Sequence, residues 1–155
     1  MPIVPISLML FMVLIWAIKP AFQICQKGFV YSLARIFIHV NAPHLLFNLA
    51  AFYQIDRLIA DQQATVVSLI IMVNATIDYL VYGLGYSHCS IGFSGVIFGL
   101  ITYLYLRQKI SASDLIKNLS ILLVPSMLIP NISFIGHLEG IISGFLVYLL
   151  ISVGI

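Results

Sequence analysis

Six apolar stretches, parted by short polar breaks, leave this chain few architectures to choose from. A helix needs about 20 apolar residues, with a range of ~17–25, to cross a bilayer core. The stretches run at about Ile3–Ile18, Pro43–Ala60, Ala64–Leu84, Gly92–Leu106, Leu115–Ile129 and Gly136–Val153. Backbone polar groups must be satisfied inside lipid, so each reads as a helix. Barrel strands would be shorter, ~9–11 residues, and would alternate in polarity. The expectation is an all-α membrane protein, a compact six-helix bundle forming one domain over residues 1–155.

Composition agrees with that reading. The chain is 62% hydrophobic and 8% charged, against ~45–50% and ~25% in soluble domains. A net charge of +2 with no Lys/Arg cluster argues against nucleic acid as a partner. Met1–Pro5 lacks the positive charge that starts a signal peptide, so the first stretch reads as a retained span. Arg57, Arg107, Lys109 and Lys117 lie in or beside the loops after the second and fourth stretches. By the positive-inside rule those loops, and both termini, face the cytoplasm. Lys19, Lys27 and Arg35 in the first loop argue the other way. That loop, about Lys19–Ile38, is rich in Phe, Val, Leu and Ile, which suits an interfacial, partly embedded segment. Cys25 and Cys89 form no CxxC and no zinc spacing, and two free thiols are expected.

Polar residues inside such a chain are costly and invite a functional reading. His44 and Asn48 are four apart and share a helix face, behind Asn41 as a cap and Pro43 in the first turn; His39 stands just before. Ser94 heads the fourth stretch, where free N–H groups and the helix dipole favour negative charge. Gly95 and Gly99 make a small-xxx-small pair, and Gly140 and Gly144 share a face with His137, so two helices can approach closely. Taken singly, each has a structural reading: packing for the glycines, a back-bonded hydroxyl for Ser94, mouth-of-helix hydrogen bonds for His44 and Asn48. Asn74 and Asp78 share a face of the third stretch, and Asp78 has no obvious intramembrane partner. Glu139 is expected near the membrane surface or paired, and His88 has no assigned role.

A serine becomes a nucleophile only beside a base, and histidine titrates in the right range. Ser94 with His137 would be such a pair; the Ser94 N–H with His44 and Asn48 would supply donors for an oxyanion. Other chemistries fit less well. The nucleophile elbow of soluble hydrolases needs glycine two after the serine, where Val96 stands. There is no HExxH, and His39 and His44 are five apart.

Three segments, His39-Val-Asn-Ala-Pro-His44-Leu-Leu-Phe-Asn48, Gly92-Phe93-Ser94-Gly95 and Gly136-His137-Leu-Glu-Gly140 with Gly144, resemble the rhomboid intramembrane serine proteases in order and spacing over nearly the whole chain. The resemblance implies Ser94 as nucleophile, His137 as general base, and His44, Asn48 and the Ser94 N–H as oxyanion hole. His39 would be a structural or water-organising residue, and Gly92 would let the chain bend closely around the site. It implies transmembrane proteins as substrates, hydrolysed in or near their membrane segments, with no metal or cofactor. Two positions depart from the family. A tyrosine often stands four after the serine, where this chain has Phe98, and Trp-Arg in the first loop is here Val30-Tyr31. Pro125 and Pro130 would let the fifth span bend, with the loop Asn131–Ile135 capping the site and a substrate helix arriving laterally. A catalytically silent rhomboid-like protein that binds membrane clients is the alternative, and a small transporter using the histidines and Asp78 a third. The chain's size suggests a bacterial or archaeal cell membrane.

Overall fold

Gly95, Gly99, Gly140 and Gly144 set the centre of the molecule. A computed structural model of the chain describes residues 3–18, 25–59, 63–85, 89–128 and 133–154. Seven helices and no strand occur among them: α1 (Ile3–Ile18), α2 (Phe29–Arg35), α3 (Ala42–Ile59), α4 (Gln63–Gly83), α5 (Ser94–Leu106), α6 (Ala112–Leu128) and α7 (Phe134–Ser152). The most extensive helix contact is α5 against α7, backbone to backbone. A Cβ on Gly140 would run into the Gly95 carbonyl, and one on Gly144 into the Gly99 carbonyl. Small residues at that spacing bring helices together where lipid supplies no hydrophobic drive.

Around this pair the other helices close a shell. α5 touches α3, α4 and α6 as well as α7, and α4 also packs on α7 and α2. Val96, Ile97, Phe98 and Leu100 on α5 are fully buried, as are Phe52 on α3, Val66 and Ile70 on α4, and Met12 on α1. The outer faces are apolar too: Leu10, Leu14, Leu46, Phe47, Leu80 and Ile116 are all exposed. In water such a surface would be a liability; against acyl chains it is the ordinary exterior. Two helices, Ala64–Gly83 and Phe134–Ser152, are each long and apolar enough to cross a membrane. Pro5–Ile18 and Ser94–Leu106 are shorter apolar helices.

Helix ends follow local chemistry. The Asn41 side chain accepts from the His44 N–H at 2.9 Å, so Asn41 starts α3 as an N-cap does. Ser133 caps α7 by accepting from the Gly136 N–H at 3.1 Å, which starts that helix two residues ahead of the expected Gly136. α5 begins at Ser94, two residues later than expected, because Gly92 is held at φ +111°, outside helical geometry. Phe134 and Ile135, expected in a capping loop, belong to the first turn of α7. Lys19, Ala60, His88, Ile129, Pro130, Asn131 and Ile132 lie outside the described residues.

Two expectations fail for one reason, the packing of the first loop. The loop contains α2, which lies on α4, and the Tyr82 hydroxyl near the end of α4 donates to the Cys25 carbonyl at 2.6 Å. That brings Cys25 to the segment leading into α5, and Cys25 and Cys89 form a disulfide with Cα atoms 5.5 Å apart; they are not free thiols. Arg35, in the same loop, is 1% exposed. Its guanidinium forms a buried ion pair with Asp78, which therefore does have an intramembrane partner.

The glycine contact yields a prediction. Gly144→Ala forces a methyl into the Gly99 carbonyl and should destabilise the bundle by about 1–3 kcal/mol. Gly83→Ala, where nothing lies within 4 Å of the added atom, should leave the thermal unfolding midpoint in detergent unchanged. Equal midpoints for both variants would refute close α5–α7 packing.

Candidate active site

Three helix starts meet at one end of the bundle. Ser94 is the first residue of α5, His137 lies in the first turn of α7, and His44 lies in the first turn of α3. Helix N-termini present free N–H groups and the positive end of the dipole, so the site is already disposed toward negative charge. Ser94 Oγ and His137 Nε2 are 3.2 Å apart, within hydrogen-bond reach. The His137 ring stacks on Phe98, one turn along α5 from Ser94, with centroids 4.4 Å apart and planes 22° from parallel. His137 is 3% exposed, and its Nδ1 has no hydrogen-bond partner among the described residues. Among the described residues no carboxylate orients the ring in the manner of a triad; the aromatic face of Phe98 lies against it.

α3 supplies the other wall. Gly92 lies so close to His44 that a Cβ there would stand 2.6 Å from the imidazole Cε1. The residue must be glycine for this contact, and its positive φ also favours glycine. Asn48 is buried, one turn further into α3, and its amide donates to the His44 carbonyl at 2.8 Å. That bond uses one of its two amide N–H groups.

Behind Ser94 is a cavity of about 20 Å³ lined by, among others, Asn74, Asp78, Ser90, Gly92, Ser133 and Glu139. Its size and polarity suit a water molecule. The Ser90 hydroxyl donates to Ser133 Oγ at 3.0 Å, joining the segment before α5 to the cap of α7. Glu139, expected near the surface or paired, is 4% exposed and lies within the electrostatic reach of Asp78 and Arg35. Among the described residues no group of three or more His, Cys, Asp or Glu gathers as metal ligands do.

A model of the rhomboid domain matches residues 26–153. The chain belongs to the rhomboid family. It is therefore an integral membrane protein of a family that includes serine proteases. A protein of Acanthamoeba polyphaga mimivirus that carries the rhomboid name is 29% identical over 119 residues, covering 73% of this chain and 70% of its own length. Rhomboid-like protein 15 of Arabidopsis thaliana is 26% identical over 135 residues, covering 71% of this chain but 34% of its own length.

The structure accounts for both departures from the common rhomboid pattern. Phe98 keeps the aromatic face against His137 without a hydroxyl. Where Trp-Arg is missing from the first loop, Arg35 anchors that loop from a position four residues later than Tyr31. Arg35, Ser32, Ser90 and Ser133 are the site-side residues that sequence reasoning missed. The available signal was a lone arginine in an apolar loop and a lone aspartate in an apolar helix, each in need of the other.

His39 lies between α2 and α3, 5% exposed, its ring 5.1 Å from that of His44. Its Nδ1 lies 3.2 Å from the Phe37 carbonyl. Burial, with His44 beside it, pulls the imidazole from its ordinary 6.5 down to about 4. A neutral His39 is thus favoured in the folded chain. Below pH 6.5 the unfolded chain takes up a proton that the folded chain refuses, so this stabilisation is full above 6.5 and lost as the pH falls toward 4. A shift of this size corresponds to at most about 3 kcal/mol. His39→Gln should flatten the stability curve between pH 6.5 and 4, measured as unfolding midpoint against pH. A variant curve parallel to that of the wild type would contradict this role.

Proposed function

We propose that the chain is an intramembrane serine endopeptidase that cuts other membrane proteins in or near their transmembrane segments. The observation that carries this reading is the 3.2 Å approach of Ser94 Oγ to His137 Nε2, with the ring held flat against Phe98. His137 Nε2 takes the proton from Ser94 as Oγ attacks the scissile carbonyl. The carbonyl oxygen becomes an oxyanion, which the Ser94 N–H, the His44 ring and the free N–H of Asn48 stabilise. His137 then gives its proton to the leaving amine, and water hydrolyses the acyl-enzyme with His137 again as base. The cavity behind Ser94 has room for that water.

Gly92 gives the close turn beside His44, Gly95, Gly140 and Gly144 hold α5 to α7, and His39 supports His44 from the loop. No step in this scheme calls on a metal or cofactor. The six longer helices are read as six crossings of a cell membrane within one domain over residues 1–155. The disulfide favours an oxidising compartment for Cys25 and Cys89. This agrees with the orientation that Arg57, Arg107, Lys109 and Lys117 suggest, in which the site opens away from the cytoplasm. With Arg35 buried in an ion pair, the contrary charges of the first loop carry less weight.

The alternative, a silent protein that binds membrane clients, differs in one measurable respect. Wild type reconstituted in liposomes with a panel of single-span substrates should release cleaved fragments. Ser94→Ala should lower that rate by at least about a thousandfold while still co-purifying with the uncut substrate. Fragment release that survives Ser94→Ala would exclude the serine mechanism. Client binding without any cleavage by wild type would favour the silent reading.

A further inference from the structure

The segment ahead of Ser94 must hold still relative to His44, and part of what holds it comes from outside the three helices of the site. The Gly92 N–H donates to the carbonyl of Arg35 at 3.0 Å. Gly92 is also the point where the segment meets the His44 ring. The position of that contact is therefore inherited from Arg35, the last residue of α2.

A helix of seven residues does not hold its own position; isolated helices shorter than ~12–15 residues are marginal. The apolar anchoring of α2 is partial: Phe29 and Leu33 pack against the core, Phe29 edge-on to Tyr79, while Val30 is 69% exposed. Its buried residues are Ser32 and Arg35, and Arg35 is among the largest fully buried side chains of the protein. The guanidinium pairs with Asp78 on α4, donates to Ser32 Oγ at 2.9 Å and to the Gln26 carbonyl at 3.0 Å, and lies over the Tyr82 ring at 5.0 Å. A planar fork with several donors suits this task in a way that an ammonium does not.

We infer that Arg35 is a positioning residue of the active site: its side chain, anchored on Asp78, fixes the end of α2, and its carbonyl thereby fixes Gly92 against His44. Arg35 acts on the site through Gly92, whose N–H its carbonyl accepts. The inference rests on the protease reading above, because the quantity it controls is the alignment of His44 with the serine.

The test uses the full chain in detergent and reads phosphonate labelling of Ser94 together with kcat and KM on a cleaved substrate. Removing one partner of a buried ion pair risks unfolding, whereas replacing both by apolar residues is often neutral. The variants are therefore Arg35→Met with Asp78→Leu, and Arg35→Lys, which keeps a charge for Asp78 and loses the fork. Each is accepted when its unfolding midpoint matches wild type and the Cys25–Cys89 bond is intact. The double variant should label at least about tenfold more slowly, with kcat falling by the same factor and KM within about twofold. Arg35→Lys should lose about threefold to tenfold in kcat. If the double variant does not fold, Arg35→Lys alone decides. Folded variants that label and turn over as wild type does would overturn the inference and leave the protease reading standing. A wild type that neither labels nor cleaves would overturn both.

Discussion

Everything at the active end of this protein depends on how closely α5 and α7 approach. Ser94 is on one and His137 on the other, and their atoms meet only because Gly95 and Gly99 lie directly against Gly140 and Gly144. In lipid there is no solvent to squeeze two helices together, so contact must come from shape. Side chains at these four positions would part the helices by more than a hydrogen bond can span. The same contact puts Phe98 under the His137 ring, so one packing surface sets both the distance and the orientation of that imidazole.

The remaining wall of the site is built from the opposite kind of interaction. The first loop and the segment before α5 are tied to each other and to the bundle by long-range links: the disulfide between Cys25 and Cys89, the buried Arg35–Asp78 pair and the Ser90–Ser133 hydroxyl bond. Each joins parts of the chain far apart in sequence, and all lie toward the end of the bundle where the serine sits. The interior is thus held by glycine contact and the mouth by polar and covalent ties. On the proposed reading both are needed, since water must reach Ser94 without the bundle opening to lipid.

Much of this was legible in the sequence, and the failures share a cause. Apolar runs and caps are local signals, and they place α1 at its observed limits and α3, α4, α6 and α7 to within a few residues of theirs. α5 was started too early because Gly92 looks like part of the apolar run, and only its positive φ shows that the helix waits for Ser94. The three short motifs gave the residues that meet at the site. What the sequence left hidden was pairing. Nothing near Cys25 points to Cys89, and nothing near Arg35 points to Asp78, because each partner is chosen by how α2 lies on α4. Glu139 has the same character: the charges within its reach, Arg35 and Asp78, come from α2 and α4, not from its own helix.

The central claim is that Ser94 is a nucleophile activated by His137. The most direct measurement is mass spectrometry of the detergent-purified chain after reaction with a serine-directed phosphonate, with the adduct located by digestion. The account predicts one adduct per chain, on Ser94, and none in His137→Ala. An adduct on another residue, or labelling that persists in both Ser94→Ala and His137→Ala, would contradict it.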